Sequence, residues 1–158
     1  SNRIGDEGMG FIAMMQRLPQ ERVGAAAANV AHAKQILLET IEYAKERKAF
    51  GQAIGSFQHN KFKLAEMATA LESAVHLVRY AAWLHAAGQP HHKAAAMAKL
   101  HATETAASVC DQAARVFASY GYAMDYPVQR YLRDVRFTLI GGGTSEILKL
   151  IIAKEVSS

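Results

Sequence analysis

The sequence predicts an all-α protein, an antiparallel four-helix bundle of long helices with short appended helices. Apolar residues recur every three or four positions through three stretches of roughly 28 residues each. No stretch alternates at period two for long enough to make a convincing strand. Glycine and proline mark the breaks between the stretches. Helices of this length, roughly 42 Å each, bury their apolar stripes against one another because they are not stable alone in water.

The elements follow in order from these breaks. We expect a short helix over about residues 8–17, and a first long helix that opens at Pro19, where a missing N–H costs nothing. Gly51 and Gly55 bracket the connection to the second long helix. That helix ends at the turn of residues 88–90, and Gly121 closes the third.

Two shorter helices are expected at the C-terminal end. The first begins after Pro127 and runs to about Arg136. The second runs from Thr144 to about Val156, with Thr144 or Ser145 as its cap, and three consecutive glycines precede it. Three glycines before a helix form either a flexible turn or a cradle for an anion or a flat ligand.

Composition excludes several classes of protein. The 158 residues are 51% hydrophobic and 20% charged, which fits one folded domain and not a disordered chain. The single cysteine, Cys110, excludes a disulfide framework and a multi-cysteine metal cage, and we expect it to be a packing residue. The net charge of +4 is spread along the chain without interleaved aromatics, so we expect no nucleic-acid partner.

No membrane partner, metal site or secretion signal is expected either. No apolar run approaches the ~20 residues that a membrane helix needs, and no signal peptide is recognisable, so a cytoplasmic location is expected. His85 and the pair His91-His92 lack carboxylates at matching spacing, which favours exposed polar side chains over metal ligands.

Three segments differ from ordinary bundle sequence. The first runs from Arg47-Lys48-Ala49-Phe50-Gly51 to Phe57-Gln58. The second is Gly121-Tyr122 with Tyr126-Pro127, followed by Arg130 and Arg133-Asp134. The third is Gly141-Gly142-Gly143-Thr144-Ser145-Glu146-Ile147. Each has an ordinary structural reading when taken alone, such as an arginine that complements a helix dipole or a phenylalanine that plugs a core.

Together and in this order, the segments resemble the C-terminal domain of the acyl-CoA dehydrogenase family. The resemblance covers nearly the whole chain, since Gly8-Met9-Gly10-Phe11 and Met15-Gln16-Arg17-Leu18-Pro19-Gln20-Glu21-Arg22 match how that domain begins. Residues 3–158 are therefore expected to be this domain, cut from a longer chain, with Ser1-Asn2 as a tag remnant.

The resemblance implies an FAD-dependent enzyme that desaturates an acyl-CoA thioester between Cα and Cβ. In the family a carboxylate removes the α proton while the β hydrogen leaves as hydride to the flavin. A free glutamate, with a pKa of about 4.3, is too weak a base and has to be desolvated. Electron-transfer flavoprotein is the implied electron acceptor, and a homo-oligomer, dimer or tetramer, is the implied assembly. The isolated chain is expected to be inactive.

Glu21 is the candidate base. Many family members carry the catalytic glutamate at the position of Gly142, which has no side chain to abstract a proton. Long-chain and isovaleryl-type members place it instead at the start of the first long helix, and Leu18-Pro19-Gln20-Glu21-Arg22 resembles the long-chain pattern. A carboxylate in the first turn of a helix more commonly complements the helix dipole. The assignment of Glu21 as the base therefore depends on the absence of a glutamate at position 142. The implied substrate contacts are Pro19, Gln20, Arg22, Gly142 and Gly143.

The resemblance also implies FAD contacts. Arg47, Phe50 and Gln58 match positions that reach the cofactor from a neighbouring subunit, and Thr144, Ser145 and Glu146 match the turn beside the flavin. One segment departs from the family, which commonly has Gln-x-x-Gly-Gly where this chain has Arg115-Val116-Phe117-Ala118-Ser119. Either Arg115 and Ser119 contact the cofactor, or FAD is bound poorly.

Three alternatives stay open. An acyl-CoA oxidase or a flavin monooxygenase of the same fold would differ in oxygen reactivity. A non-catalytic structural or assembly subunit is favoured by the departure at Arg115 and disfavoured by Glu21. A plain helical interaction module would require every motif match to be accidental.

Overall fold

The computed structural model describes residues 2–157, so Ser1, half of the expected tag remnant, lies outside the described residues. Within these described residues, five helices account for most of the chain, together with one small hairpin and two 3₁₀ turns. The elements are α1 Gly10–Glu46, β1 Lys48–Ala49, β2 Gln52–Ala53, a 3₁₀ turn Ile54–Ser56, α2 Gln58–Ala86, α3 His92–Phe117, a 3₁₀ turn Ala118–Gly121, α4 Val128–Thr138 and α5 Ser145–Ser157.

Helix α3 is the centre of the bundle and packs against the other four helices. Its small side chains let their backbones approach closely; the buried alanines are Ala94, Ala95, Ala96, Ala98, Ala102, Ala106, Ala107 and Ala113. Larger residues such as Ile36, Met67 and Val109 fill the core between α1, α2 and α3. The all-α prediction is confirmed, with three long helices of 37, 29 and 26 residues and two of 11 and 13 residues.

The predicted helix break at Pro19 is wrong. Residues 10–46 form one continuous helix, and Pro19 is buried within it. A proline removes one backbone hydrogen bond and crowds the carbonyl four residues before it, which bends a helix without necessarily ending it. Since both flanks were predicted helical, only the boundary is corrected.

The connection between α1 and α2 contains a two-stranded hairpin that the period-two criterion misses. Lys48 pairs with Ala53 and Ala49 with Gln52 in antiparallel register. Each strand has two residues, which is too short to show alternation. The turn residues Phe50 and Gly51 have φ of 52° and 83°, the positive values that a two-residue hairpin turn of type I′ requires at both positions.

Two of the predicted chain breaks are confirmed at atomic detail. A Cβ on Gly121 would lie 2.3 Å from the carbonyl oxygen of Ala114, so only glycine fits where the chain leaves α3. At the start of α5, the N–H of Ile147 donates to Thr144 Oγ1 at 3.4 Å, which makes Thr144 the cap. No helix within residues 2–157 is long and apolar enough to cross a membrane.

Candidate functional site

Two buried cations hold the glycine turn between α4 and α5. Arg22 Nε, on α1, donates to the carbonyl oxygen of Gly142 at 3.1 Å. Lys99 Nζ, on α3, donates to the carbonyl oxygen of Gly143 at 2.8 Å. Arg22 is 5% exposed and Lys99 is fully buried. The structure therefore brings together Arg22, Gly142 and Gly143, three of the predicted substrate residues, and adds Lys99.

Within the described residues, neither Arg22 nor Lys99 has a carboxylate within 4 Å to neutralise its charge. Burial lowers the pKa of Lys99, the Arg22 guanidinium lowers it further, and the Glu104 carboxylate acts in the opposite direction. Burial also lowers the pKa of Arg22, opposed by the charge of Glu21. Among residues 2–157, the carboxylates within 4 Å of a basic group are bound to cations other than these two.

Glu21 lies on α1 directly before Arg22 and is exposed, as is Gln20, whereas Pro19 is buried. Its charge interacts with the guanidinium of Arg22, which anchors this turn of α1 to Gly142. The desolvation that a glutamate base requires is therefore not supplied by the residues of this chain.

The residues after the glycine turn are held by α3 and by one another. Ser145 is buried, and its Oγ donates to Glu104 Oε1 at 2.6 Å. Glu146 is exposed, and its pKa is lowered by hydrogen bonds from its own backbone N–H and then from the Thr144 hydroxyl. Sequence reasoning missed Glu104 and Lys99 because their partners lie 41 and 44 positions away along the chain.

The hairpin after α1 presents an aromatic ring to solvent. Phe50 is 96% exposed, although its backbone has the positive φ that a large residue rarely adopts. Its ring meets the edge of Phe57 at a centroid distance of 6.2 Å. Gln58 begins α2 and is also exposed. An exposed aromatic on a strained turn is suited to stack on a flat ligand.

The end of α3 lies against the end of α1. Arg47 places its guanidinium 5.5 Å from the ring centroid of Tyr120, next to the segment 115–119. Ala118 has φ 53° and ψ −129°, so the chain keeps a glycine-like conformation without a glycine. Ser119 is exposed. Arg115 is exposed but engaged, since its Nε donates to Asp111 Oδ2 at 2.8 Å.

The predicted contacts thus form two groups at opposite ends of α3. Lys99 lies near the start of α3, and Phe117 ends it about 27 Å further along at 1.5 Å per residue. Arg22, Lys99 and the glycine turn belong to the first group, and Arg47 with the segment 115–119 belongs to the second.

A cavity of about 580 Å³ opens beside the second group. It combines acidic side chains of α1 with an aromatic cluster, and sequence reasoning did not single it out. Tyr43 stacks on Phe117 at a centroid distance of 4.0 Å. The lining residues are Gln35, Leu38, Glu39, Glu42, Tyr43, Glu46, Arg47, Phe117, Tyr120, Tyr126 and Pro127.

Two of the histidines considered as metal ligands contact each other. His85 Nδ1 and His91 Nε2 are 3.2 Å apart in the turn between α2 and α3. Residues 2–157 contain no group of three or more His, Cys, Asp or Glu side chains arranged to hold a metal ion. Cys110 is fully buried, as predicted for a packing residue.

Comparisons with known proteins match almost the whole chain. Residues 8–157 match the family model described as acyl-CoA dehydrogenase, C-terminal domain. The chain is 61% identical to benzylmalonyl-CoA dehydrogenase of Aromatoleum aromaticum, over all of this chain and 42% of that protein. It is 44% identical to the short-chain acyl-CoA dehydrogenase of Clostridium acetobutylicum, over 98% of this chain and 41% of that protein.

Solved structures agree with the sequence relatives. Butyryl-CoA dehydrogenase from Megasphaera elsdenii superimposes with a TM-score of 0.94 and 37% identity, over 98% of this chain and 40% of that one. The chain spans about two fifths of the length of the relatives it matches. These matches in sequence and in helical architecture show that this chain belongs to the acyl-CoA dehydrogenase family, as the family's C-terminal domain.

Proposed function

We propose that the protein to which this domain belongs is an FAD-dependent acyl-CoA dehydrogenase that introduces a double bond between Cα and Cβ of an acyl-CoA thioester. The observation that carries the proposal is the glycine turn, which two buried cations hold, one of them Arg22, the residue that directly follows Glu21 in α1. Electron-transfer flavoprotein as the electron acceptor completes the proposal and rests on the resemblance. A cytoplasmic location is proposed because the single cysteine can form no internal disulfide and suits a reducing compartment.

The residues of this chain fit the shape and charge of FAD. Phe50 offers an exposed ring for stacking, and the backbone at Ala118 keeps the conformation that lets a ligand approach closely. Arg47 supplies positive charge near the same end of α3, suited to a pyrophosphate, and Arg115, which is paired with Asp111, is proposed as a further contact. Gln58, Ser119, Thr144, Ser145 and Glu146 complete the proposed cofactor contacts. The flavin, when bound, accepts the hydride that leaves Cβ.

Glu21 is proposed to take the α proton. An exposed carboxylate is a weak base, so the longer protein and the acyl chain have to cover it and raise its basicity. Arg22, by binding the carbonyl of Gly142, keeps this turn of α1 beside the glycine turn, where the thioester is expected. The isolated chain is therefore expected to be inactive.

The test is Glu21→Gln in the full-length protein. Removal of a general base is expected to lower the desaturation rate by roughly 10²–10⁴-fold while flavin absorbance is retained. Glu66→Gln, at an exposed position of α2 outside both groups, is the control and should leave the rate unchanged. Normal turnover by Glu21→Gln would show that the base assignment is wrong.

A second candidate substrate is an acyl-CoA with a carboxylate on Cα. It is favoured by the 61% identity to a protein named for benzylmalonyl-CoA, and by the open space at Gly142, where an added Cβ would meet nothing within 4 Å. Cleavage of the bond from Cα to the carboxylate releases CO₂ and leaves its electron pair on Cα. That pair forms the double bond as hydride leaves Cβ for the flavin, so no base is needed.

The two candidate substrate classes predict different results with the Glu21→Gln variant, because only the substrate without an α-carboxylate needs a base. An alkylmalonyl-CoA or arylmalonyl-CoA would be converted, with CO₂ release, by both wild type and Glu21→Gln. The corresponding acyl-CoA without the carboxylate would be converted only by wild type. A protein that retains flavin but converts neither class would support the non-catalytic alternative.

A further inference from the structure

We propose that His85 and His91 form a binding site for a divalent transition metal, Zn²⁺ by its geometry, in the turn that joins α2 to α3. The site goes beyond the proposed function, because no step of the desaturation uses it. In the sequence, the absence of carboxylates at matching spacing favoured exposed polar side chains here. The structure adds that the two imidazoles are in contact, which a spacing of six residues does not reveal.

The distance between the two ring nitrogens fits one metal ion bound to both. His85 Nδ1 and His91 Nε2 are 3.2 Å apart. Zinc binds histidine nitrogen at about 2.0–2.1 Å, so an ion at that distance from both atoms has an N–Zn–N angle of roughly 100–105°, close to the tetrahedral geometry that zinc adopts. A square-planar ion such as Cu²⁺ takes an angle of about 90°, which requires a shorter distance between the nitrogens.

The two rings also meet at an angle, as imidazoles bound to one metal ion do. Their centroids are 4.8 Å apart, and their planes are inclined by 64°. A straight N–H···N hydrogen bond would separate the centroids by the N···N distance plus the two ring radii, which is more than the observed separation. The nitrogens therefore do not meet end to end, and small rotations of two solvent-accessible side chains bring both lone pairs onto one ion.

A backbone carbonyl determines which nitrogen of His91 is free to bind. His91 Nδ1 lies 3.1 Å from the carbonyl oxygen of Gln89, which can only accept a hydrogen bond, so Nδ1 carries the proton. The lone pair of the neutral ring is then on Nε2, the atom that faces His85. Histidines that bind metals usually donate their other N–H to a carbonyl or carboxylate in this way. The ion takes the place of the proton between the rings, and His85 keeps its own proton on Nε2.

The site is open to solvent and links two helices. His85 lies in the last turn of α2, and His91 directly precedes α3. No third His, Cys, Asp or Glu within residues 2–157 joins the pair in a metal-binding group, so water completes the coordination. Because the two ligands come together only in the folded chain, a bound ion stabilises this end of the bundle.

The test titrates Zn²⁺ into the chelator-treated full-length holoenzyme and into its His85→Gln, His91→Gln and His92→Gln variants. Wild type is expected to bind one more Zn²⁺ per chain than the His85 and His91 variants, because loss of either ligand lowers the affinity of the site by at least about tenfold. His92→Gln removes the adjacent exposed histidine and should bind zinc like wild type.

Thermal unfolding provides the second measurement. Excess Zn²⁺ should raise the unfolding midpoint of wild type and of His92→Gln above that of the two pair variants, and all four proteins should unfold at the same midpoint in chelator. Equal zinc binding by wild type and both pair variants would overturn the inference. So would an equal loss of binding in His92→Gln, or a lowered midpoint of the pair variants in chelator, which would assign the two rings a structural role. None of these readouts depends on desaturation, so an inactive enzyme would contradict the proposed function alone.

Discussion

At the scale of single residues, Phe50 and Ala118 are the two described non-glycine positions with positive φ. Both belong to segments that were assigned to cofactor binding from the sequence. A side chain larger than hydrogen in such a conformation costs about 1–3 kcal/mol and persists only where surrounding structure enforces it. At residue 118 the backbone shape is therefore retained although the glycine that usually provides it is absent.

Ala118→Gly is expected to stabilise the chain by about 1 kcal/mol, because glycine adopts this conformation without steric strain. Chemical denaturation measures the change. Ala82→Gly, at an exposed position within α2, is the matched control and should destabilise by about 0.5–1 kcal/mol. A loss of stability in both variants would show that residue 118 is not strained.

Cys110 is expected to be chemically inert in the folded chain. Burial raises the pKa of its thiol to about 12, whereas an unfolded thiol ionises near 8.5. At pH 8 a thiol reagent should react only as fast as the chain unfolds, and at full rate in denaturant. Since the folded pKa is the higher one, the thiol's contribution to stability is complete below about pH 8.5 and is lost as the pH rises toward 12. Rapid labelling of native protein would contradict this.

Arg22 and Lys99 differ in how far their contacts can be predicted from the sequence. Arg22 and Gly142 were paired through a motif, and the structure joins them by a hydrogen bond. Lys99 stands in the third helical stretch with no local feature that distinguishes it from an exposed lysine. Only the packing of α3 against the turn 44 residues later reveals its partner.

At the scale of elements, periodicity located the helices well and their boundaries less well. Pro19 interrupts α1 in sequence but not in structure, because burial of its ring and the helical pattern on both sides outweigh one missing hydrogen bond. The hairpin at residues 48–53 depends on a turn geometry that Phe50 would not be expected to adopt.

Gly121→Ala and Gly24→Ala form a matched pair at this scale. A Cβ at residue 121 would lie 2.3 Å from a backbone oxygen at the end of α3, so the chain has to shift and we expect a loss of at least about 2 kcal/mol. A Cβ at residue 24, within α1, meets nothing within 4 Å, so the same change should add about 0.5–1 kcal/mol of stability. Equal effects on the unfolding midpoint would show that the close approach at residue 121 is not enforced.

At the scale of the whole molecule, the two groups of proposed contacts lie at opposite ends of α3. The glycine turn and Lys99 lie near the start of α3, and Arg47 with Ala118 lie at its end. The resemblance assigns the second group to a cofactor bound by a neighbouring subunit. A homo-oligomer would then contain sites that each combine the first group of one copy with the second group of another.

Subunit complementation is expected to reveal such shared sites. The full-length Glu21→Gln variant carries a defect in the part of the site that contains the glycine turn. An Arg47→Ala/Phe50→Ala double variant carries a defect in the part that contains Arg47 and the hairpin. In a mixed dimer both defects fall in the same site, and the other site is built entirely from unaltered residues. Random pairing of equal amounts makes half of the dimers mixed, with one intact site each, so co-expression should restore about a quarter of wild-type desaturation. Co-expression that gives no more activity than the sum of the two variants alone would show that both groups act within their own chain and are not shared between subunits.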